Sequence, residues 1–412
     1  MRLGTTLAYA GDPRAAVENV VAWERAGLDV VWVAEAYGFD SPTIMGYLAA
    51  RTERVAIGSA ILPIYSRTPA LIAQTAAGLD AVSGGRAILG LGASGPQVVE
   101  GWHAVPYDRP LKRTREIVDI CRRIWRRETI QHDGIYQIPL PPGVGTGLGK
   151  PLKILTHPVR DRIPIYIASL GDANVRMTAE IADGWLPFMF IPEKAREVWG
   201  DALAAGTARR SPELGPLEIV AGGGLAIGED VAELRDLIRP TLALYIGGMG
   251  ARGKNFYNDL ARRYGYEAEA VKIQDLYLSG RKEEAAAAVP AELCELMNLI
   301  GPAGYVRERI AAFREAGVTI LNVTPIVRPG EDAARLIEQV KEWLDERYLP
   351  YFLPAEEEVV IRYPVPDVVP SLRSIQLDKE AVWEGRLLGI KGQYLILENG
   401  VLNVKKHAGY HV

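Results

Sequence analysis

The feature that most constrains this chain is a repeated pairing. Short, near-continuous apolar runs each precede a segment with helical spacing of its apolar residues. The clearest run is VVWVA at 30–34. A strand apolar on both faces must be covered on both faces, as in a parallel sheet flanked by helices. Strand-like runs start at Leu3, Val30, Val55, Arg86, Ile163, Gly184, Leu217 and Thr319. Most are followed by helix-like segments, at 13–26, 42–52, 69–82, 111–127, 173–181, 193–207, 304–316 and 331–344. Eight such units point to a (β/α)8 TIM barrel rather than an open doubly wound sheet. Two insertions interrupt the rhythm. Residues 128–159 are rich in Pro and Gly, and 229–300 read as mainly helical around the apolar stretch 242–250. Long insertions after barrel strands commonly build the substrate site.

Near residue 346 the pattern stops. Pro350, Pro354, Pro364, Pro366 and Pro370 mark a proline-rich connector over 347–373. A β-rich appendage over 374–412 follows, with strand-like runs at 386–390, 394–397 and 401–404. Asn399-Gly400 is a hairpin-turn signal between the last two. The expected organisation is therefore a barrel over 1–346, a connector and a short β tail.

Charge and composition narrow the function classes. Lys and Arg total 47 against 51 Asp and Glu, a net charge of −4. That balance disfavours a dedicated nucleic-acid binder. Two cysteines, Cys121 and Cys294, exclude a disulfide framework. No histidine pair shows metal-ligand spacing with acidic or Cys partners, so no metal is expected. No stretch of about 20 apolar residues reads as a membrane span, and no secretory leader is evident. A cytoplasmic protein is the expectation.

In a barrel, chemistry belongs at the C-terminal ends of the strands. Glu35 follows the second strand; it is either a proton-transfer group or a carboxylate paired with a neighbouring Arg. Small residues, Gly58-Ser59-Ala60, follow the third and would let a flat ligand ring approach. After the fourth strand, Leu89-Gly90-Leu91-Gly92-Ala93-Ser94-Gly95 offers backbone N–H groups to an anion. It lacks the Gly-Lys-Ser/Thr of a P-loop. Glu100 and His103 come soon after; His103 is the one histidine with a claim to function. Ala168-Ser169-Leu170-Gly171-Asp172 opens a helix and is a second candidate phosphate cradle, or an ordinary N-cap. Arg67, Lys112 and Arg115 are candidates for a basic track. No Gly-x-Ser-x-Gly elbow is present, against a serine hydrolase of the α/β type.

Taken together, GLDVVWVAEAYGFDSPT (27–43), RVAIGSAILPIYSRTPALIAQTAAGLD (54–80), IPIYIASLGDANVRMTAEIADGW (163–185) and GPAGYVRERIAAFREAGVTILNVTP (301–325) resemble the luciferase-like superfamily. So do 85–118 and 242–265. Within the superfamily they look closest to the coenzyme F420-dependent oxidoreductases, in the branch containing methylenetetrahydromethanopterin reductase. The resemblance covers about 1–346 and implies a barrel enzyme, often a homodimer. Its activity would be hydride transfer between the deazaflavin C5 and a small organic substrate. An FMN-dependent monooxygenase fed by a partner reductase is the alternative, and a non-catalytic coenzyme-binding protein a third reading. The resemblance places a non-prolyl cis peptide at Ser59-Ala60, behind the ring. It places Gly92, Ala93, Ser94, Ala168, Ser169 and Gly171 around the coenzyme's phosphate and side chain. Glu35 and Glu100 match acidic positions near ring and substrate, where a proton-transfer role needs a carboxyl buried in the pocket. One departure matters. The sugar-phosphate dehydrogenase branch has a histidine where this chain has Ala36, so sugar-phosphate oxidation is disfavoured. Residues 374–412 resemble the end of an uncharacterised prokaryotic β-rich family.

Overall fold

The computed structural model describes residues 1–7, 11–344, 374–375, 386–391 and 394–403. Eight parallel strands form the barrel: β1 Arg2–Leu7, β2 Val30–Val33, β3 Ala56–Ser59, β4 Ala87–Gly92, β5 Ile165–Ala168, β6 Gly184–Leu186, β7 Glu218–Ala221 and β8 Ile320–Asn322. They pair in the order β3-β2-β1-β8-β7-β6-β5-β4, and β3 closes onto β4 through Ile57↔Ala87 and Gly58↔Ile88. All eight lie where the apolar runs predict them. β2 is buried at every position, as a strand covered on both faces must be.

The barrel interior is filled by Val30, Trp32, Ile88, Tyr166, Val220 and Ile320. The Trp32 and Tyr166 rings lie 5.3 Å apart between centroids. Two glycines make room for them. A Cβ on Gly58 would overlap the Trp32 ring, and one on Gly184 the Tyr166 ring. These rings close the interior, so the fold encloses a packed core and not a pore.

Helices ring the barrel. Those at Pro13–Arg25, Ser41–Arg51 and Pro69–Val82 start alike: Asp12, Asp40 or Thr68 accepts a first-turn backbone N–H, with proline at one of the first two positions. That arrangement satisfies orphan donors and presets φ. Pro110–Trp125, Asp172–Ile181, Pro192–Thr207, Ala303–Glu315 and Ala333–Leu344 complete the ring.

The run expected as one strand over 217–227 is two. β7 ends at Ala221, and Gly224–Ile227 joins a separate parallel sheet with Leu299–Gly301 and Thr324–Pro325. The break falls at Gly222-Gly223 for a steric reason. A Cβ on Gly222 would overlap the Asn322 carbonyl, and one on Gly223 the Met297 carbonyl. The insertion between these strands carries helices at Phe256–Arg263 and Glu267–Leu278 and a π-helical turn at Leu244–Gly248.

The chain divides into two units, 1–352 and 353–412. The connector expected over 347–373 lies outside the described residues. In the second unit Leu387–Lys391, Tyr394–Leu397 and Gly400–Asn403 form an antiparallel three-stranded sheet. Glu398 and Asn399 make its turn, and Ile375 and Leu402 are its buried centre. Among the described residues, no helix is long and apolar enough to cross a membrane.

Candidate active site

The residues just past each strand converge on the C-terminal mouth. Glu35 follows β2 and is almost wholly buried, its side chain 6% exposed. Arg67 grips both of its oxygens, Nη1 to Oε1 at 2.5 Å and Nη2 to Oε2 at 2.9 Å. Ser41 N–H donates to Oε2 at 2.7 Å, so Glu35 also ties down the start of helix Ser41–Arg51. Arg67 is thus committed to Glu35. Of the other basic-track candidates, Lys112 stands 3.8 Å from Glu116 and Arg115 grips Glu180 at 3.0 and 2.9 Å.

Past β3, Ser59 is fully buried. Its hydroxyl donates to Gly90 O at 2.8 Å and accepts from Gly90 N–H at 2.9 Å. It locks β3 to β4. The non-prolyl cis peptide is Ala60-Ile61, not Ser59-Ala60. Ser59 is held by β4, and Ala60 N–H still bonds to Val33 O at 2.8 Å, so regular pairing continues one residue further than expected. Gly92 faces Ile61, whose side chain lies 2.7 Å from where a Cβ would stand.

After β4, Ala93 leads to Ser94 in the left-handed region, with φ 59°. Gly95 then opens the short helix Pro96–Gly101 with no side-chain cap. Glu100 on that helix is exposed and accepts Tyr107 N–H at 3.2 Å. The burial that would prime a carboxyl for proton exchange is absent at Glu100. His103, three residues on, has a buried Nε2 with no hydrogen-bond partner.

After β5, Ala168 is half-buried and Ser169 is turned away from the mouth's solvent. Its hydroxyl pairs with Thr178 Oγ1 at 2.8 Å and its carbonyl accepts Trp185 Nε1–H at 2.9 Å. Gly171 caps helix Asp172–Ile181 without a side-chain bond, and open space surrounds its Cβ position. An uncapped helix N-terminus presents free N–H groups and a positive dipole end, which suits a phosphate. Asp172 would oppose an anion there, but Arg263 holds it at 2.7 Å. In the same turn Asn174 Oδ1 is buried and unpartnered. Two more orphans lie inside the barrel wall: Trp32 Nε1–H, a donor, and Asn322 Oδ1, an acceptor. Both stand 3.3 Å from where a Gly4 Cβ would be. Buried polar atoms are ordinarily paired, but these four are among ten unpartnered buried side-chain atoms in the described residues, others of which, as at Arg122 and Arg314, lie on the outer helices, so the orphans alone do not mark a binding place.

An aromatic wall was not anticipated. Phe188, two residues past β6, meets Tyr245 at 4.3 Å and Tyr257 at 5.7 Å between ring centroids. Tyr245 and Tyr257 meet each other at 4.8 Å. The insertion that carries these tyrosines is anchored to the β6 loop, because Tyr264 Oη donates to Met189 O at 2.8 Å. Phe188 was open to the same rule that singled out Glu35; the tyrosines sit in an insertion whose fold no short pattern announces. No group of three or more potential metal ligands occurs among the described residues.

Residues 1–319 match the model of a family described as luciferase-like monooxygenase, and 323–412 match a family of unknown function, DUF2797. A Mycobacterium tuberculosis protein, provisionally named a coenzyme F420-dependent oxidoreductase, is 44% identical over 331 residues, covering 79% of this chain and 95% of its own. The 5,10-methylenetetrahydromethanopterin reductase of Archaeoglobus fulgidus is 27% identical, covering 77% and 90%. In fold, the chain is similar to a coenzyme F420-dependent tetrahydromethanopterin reductase from Methanopyrus kandleri. The TM-score is 0.69 at 20% identity, over 85% of this chain and 99% of that one.

Proposed function

The chain belongs to the luciferase-like monooxygenase family, and on that premise we propose that it is a coenzyme F420-dependent oxidoreductase acting on a small organic substrate. The observation that carries the reading is the 44% identity to the M. tuberculosis relative along nearly that protein's whole length. When bound, the deazaflavin would supply hydride-transfer chemistry at its C5.

The chain's own residues fit such a group. The uncapped helix start at Gly171 would hold a phosphate, with Arg263 neutralising Asp172. Ser94 and Gly95 would add backbone donors beside it. The Ala60-Ile61 segment, braced by Ser59 and Gly92, would back a flat ring. Glu35, clamped by Arg67, holds the β2 and β3 loops in place. Proton movement at the substrate falls to Glu100, exposed in the free chain and in need of bound coenzyme and substrate to cover it, with His103, whose Nε2 is already buried, as the nearby alternative. Positioning two flat partners face to face supplies much of the rate in such a site.

The test is titration of the purified protein with oxidised F420 and, separately, FMN, followed by absorbance and fluorescence. The reading expects micromolar or tighter binding of F420 and weaker binding of FMN. Preference for FMN would favour a monooxygenase fed by a partner reductase; binding of neither would refute the assignment. The homodimer, read from the same resemblance, is checked by sedimentation.

A further inference from the structure

The exposed aromatic side chains are not scattered. Among the described residues, the Phe, Tyr and Trp side chains open to solvent are Tyr37, Phe39, Trp102, Phe188 and Phe256. Each lies past the C-terminal end of a barrel strand: Tyr37 and Phe39 after β2, Trp102 after β4, Phe188 after β6, and Phe256 in the insertion after β7. Exposed aliphatic side chains, by contrast, also occur on the outer helices, as at Leu71 and Val82, and in the Pro/Gly-rich excursion, as at Leu148 and Leu155. Burying an exposed aromatic side chain yields a large gain, so Tyr37, Phe39, Trp102 and Phe188, on the loops past β2, β4 and β6, are available to a ligand at the mouth.

Two contacts organise the rim. Tyr37 and Trp102, from the loops after β2 and β4, meet at 6.4 Å between centroids. Phe188 sits against Tyr245 and Tyr257. The charges around them are matched. Glu35 is paired with Arg67, Asp108 with Arg113, and Asp172 with Arg263. Arg67, Arg113 and Arg263 are therefore already engaged by carboxylates, which leaves the exposed Lys254, two residues before Phe256, as the cation nearest in sequence to these rings.

We propose that this aromatic rim is the substrate subsite, and that it selects an uncharged substrate with a planar, apolar body over an anionic or sugar-like one. The proposal rests on the oxidoreductase reading for the reaction but not for the binding, and the two can fail separately. Phe188 is the central residue, because it alone joins a strand end to the insertion's aromatic pair. Ring-on-ring contact of this kind adds to simple burial and favours flat ligands.

The experiment uses the full chain and a neutral arene-bearing enone, benzylideneacetone, with glucose 6-phosphate as the charged competitor. Binding is read by quenching of intrinsic tryptophan fluorescence and checked by calorimetry. The enone is expected to bind at least tenfold more tightly than the sugar phosphate. Phe188→Ala is expected to weaken enone binding at least tenfold while F420 affinity stays within twofold. Trp102→Leu, at a side chain 65% exposed and so free of the core, is the second variant and should weaken it severalfold. Equal or tighter binding of glucose 6-phosphate, or unchanged enone affinity in both variants, would overturn the proposal. So would a rim that proves to be a contact between copies, seen as variants that dissociate an oligomer without changing enone affinity. Enone binding that survives a failure to bind F420 would uphold the subsite and refute the coenzyme assignment instead.

Discussion

Replacing Arg67 by methionine separates a structural carboxylate from a catalytic one. In the native chain Glu35 is 6% exposed and Arg67 13%, and two charge-assisted bonds join them. At a few ångströms and an effective dielectric near 20, such a pair attracts by about 4 kcal/mol. Arg67→Met removes that attraction and strands the Glu35 charge away from water, leaving Ser41 N–H as its one remaining bonded donor. Breaking a buried pair from one side costs about 3–5 kcal/mol. Exposed ion pairs, by comparison, are worth about 0–1 kcal/mol. The assay is urea unfolding followed by far-UV circular dichroism and tryptophan fluorescence, on the wild type, Arg67→Met, Glu35→Gln and the double variant. We expect the double variant to recover much of what Arg67→Met loses, because the stranded charge is gone. A loss under about 1 kcal/mol for Arg67→Met would show that the pair behaves like an exposed one. A double variant no better than the single would show that the stranded charge is not the cause. Either result refutes the account of Glu35 as a clamped carboxylate.

Other predictions follow from named contacts. Glu100→Gln should slow turnover at least roughly tenfold with coenzyme affinity unchanged; if His103→Gln slows it and Glu100→Gln does not, the proton path runs through the histidine. Gly90→Ala would drive a Cβ into the Ser59 carbonyl, so it should cost more than about 3 kcal/mol by overpacking, whereas Gly78→Ala, facing open space inside helix Pro69–Val82, should gain about 0.5–1 kcal/mol; parallel melts compare the two. Burial pushes Glu24 up, but backbone N–H donors from Val55, Arg54 and Glu53 outweigh it and hold the carboxyl below the usual range. A carboxyl lowered by folding stabilises the fold above its unfolded value, near 4.3, and loses that contribution as pH falls through its folded value. Glu24→Gln should therefore flatten the acid limb of the stability profile below about pH 4, and an unchanged limb would contradict it.

The fold was legible because buried parallel strands leave an unmistakable apolar mark. IYIA in β5 and VVWV in β2 show no alternation, and five of the eight ring helices carry proline at one of their first two positions. The second sheet was not legible. Leu299–Gly301 is three residues long beside helical segments, and the break at Gly222-Gly223 is forced by carbonyls far along the chain, those of Asn322 and Met297. The site divides in the same way. Sequence position past a strand singles out Glu35, Ser94 and Gly171 as candidates at the mouth. It could not say that Glu35 would meet Arg67, that Ser59 would turn inward to Gly90, or that Phe188 would meet Tyr245 and Tyr257 from an insertion some 60 residues later. The family boundary is instructive too. The second family match begins at 323, yet helix Ala333–Leu344 belongs to the first compact unit, where Lys341 bonds Asp29 at 2.8 and 2.6 Å.

The most direct test of the central claim is a crystal structure of the chain with oxidised F420 bound. The account predicts the phosphate at the Gly171 helix start and the deazaflavin ring lying against Ala60-Ile61. Coenzyme density away from the barrel mouth, or a ring held without contact to Ala60-Ile61, would contradict it.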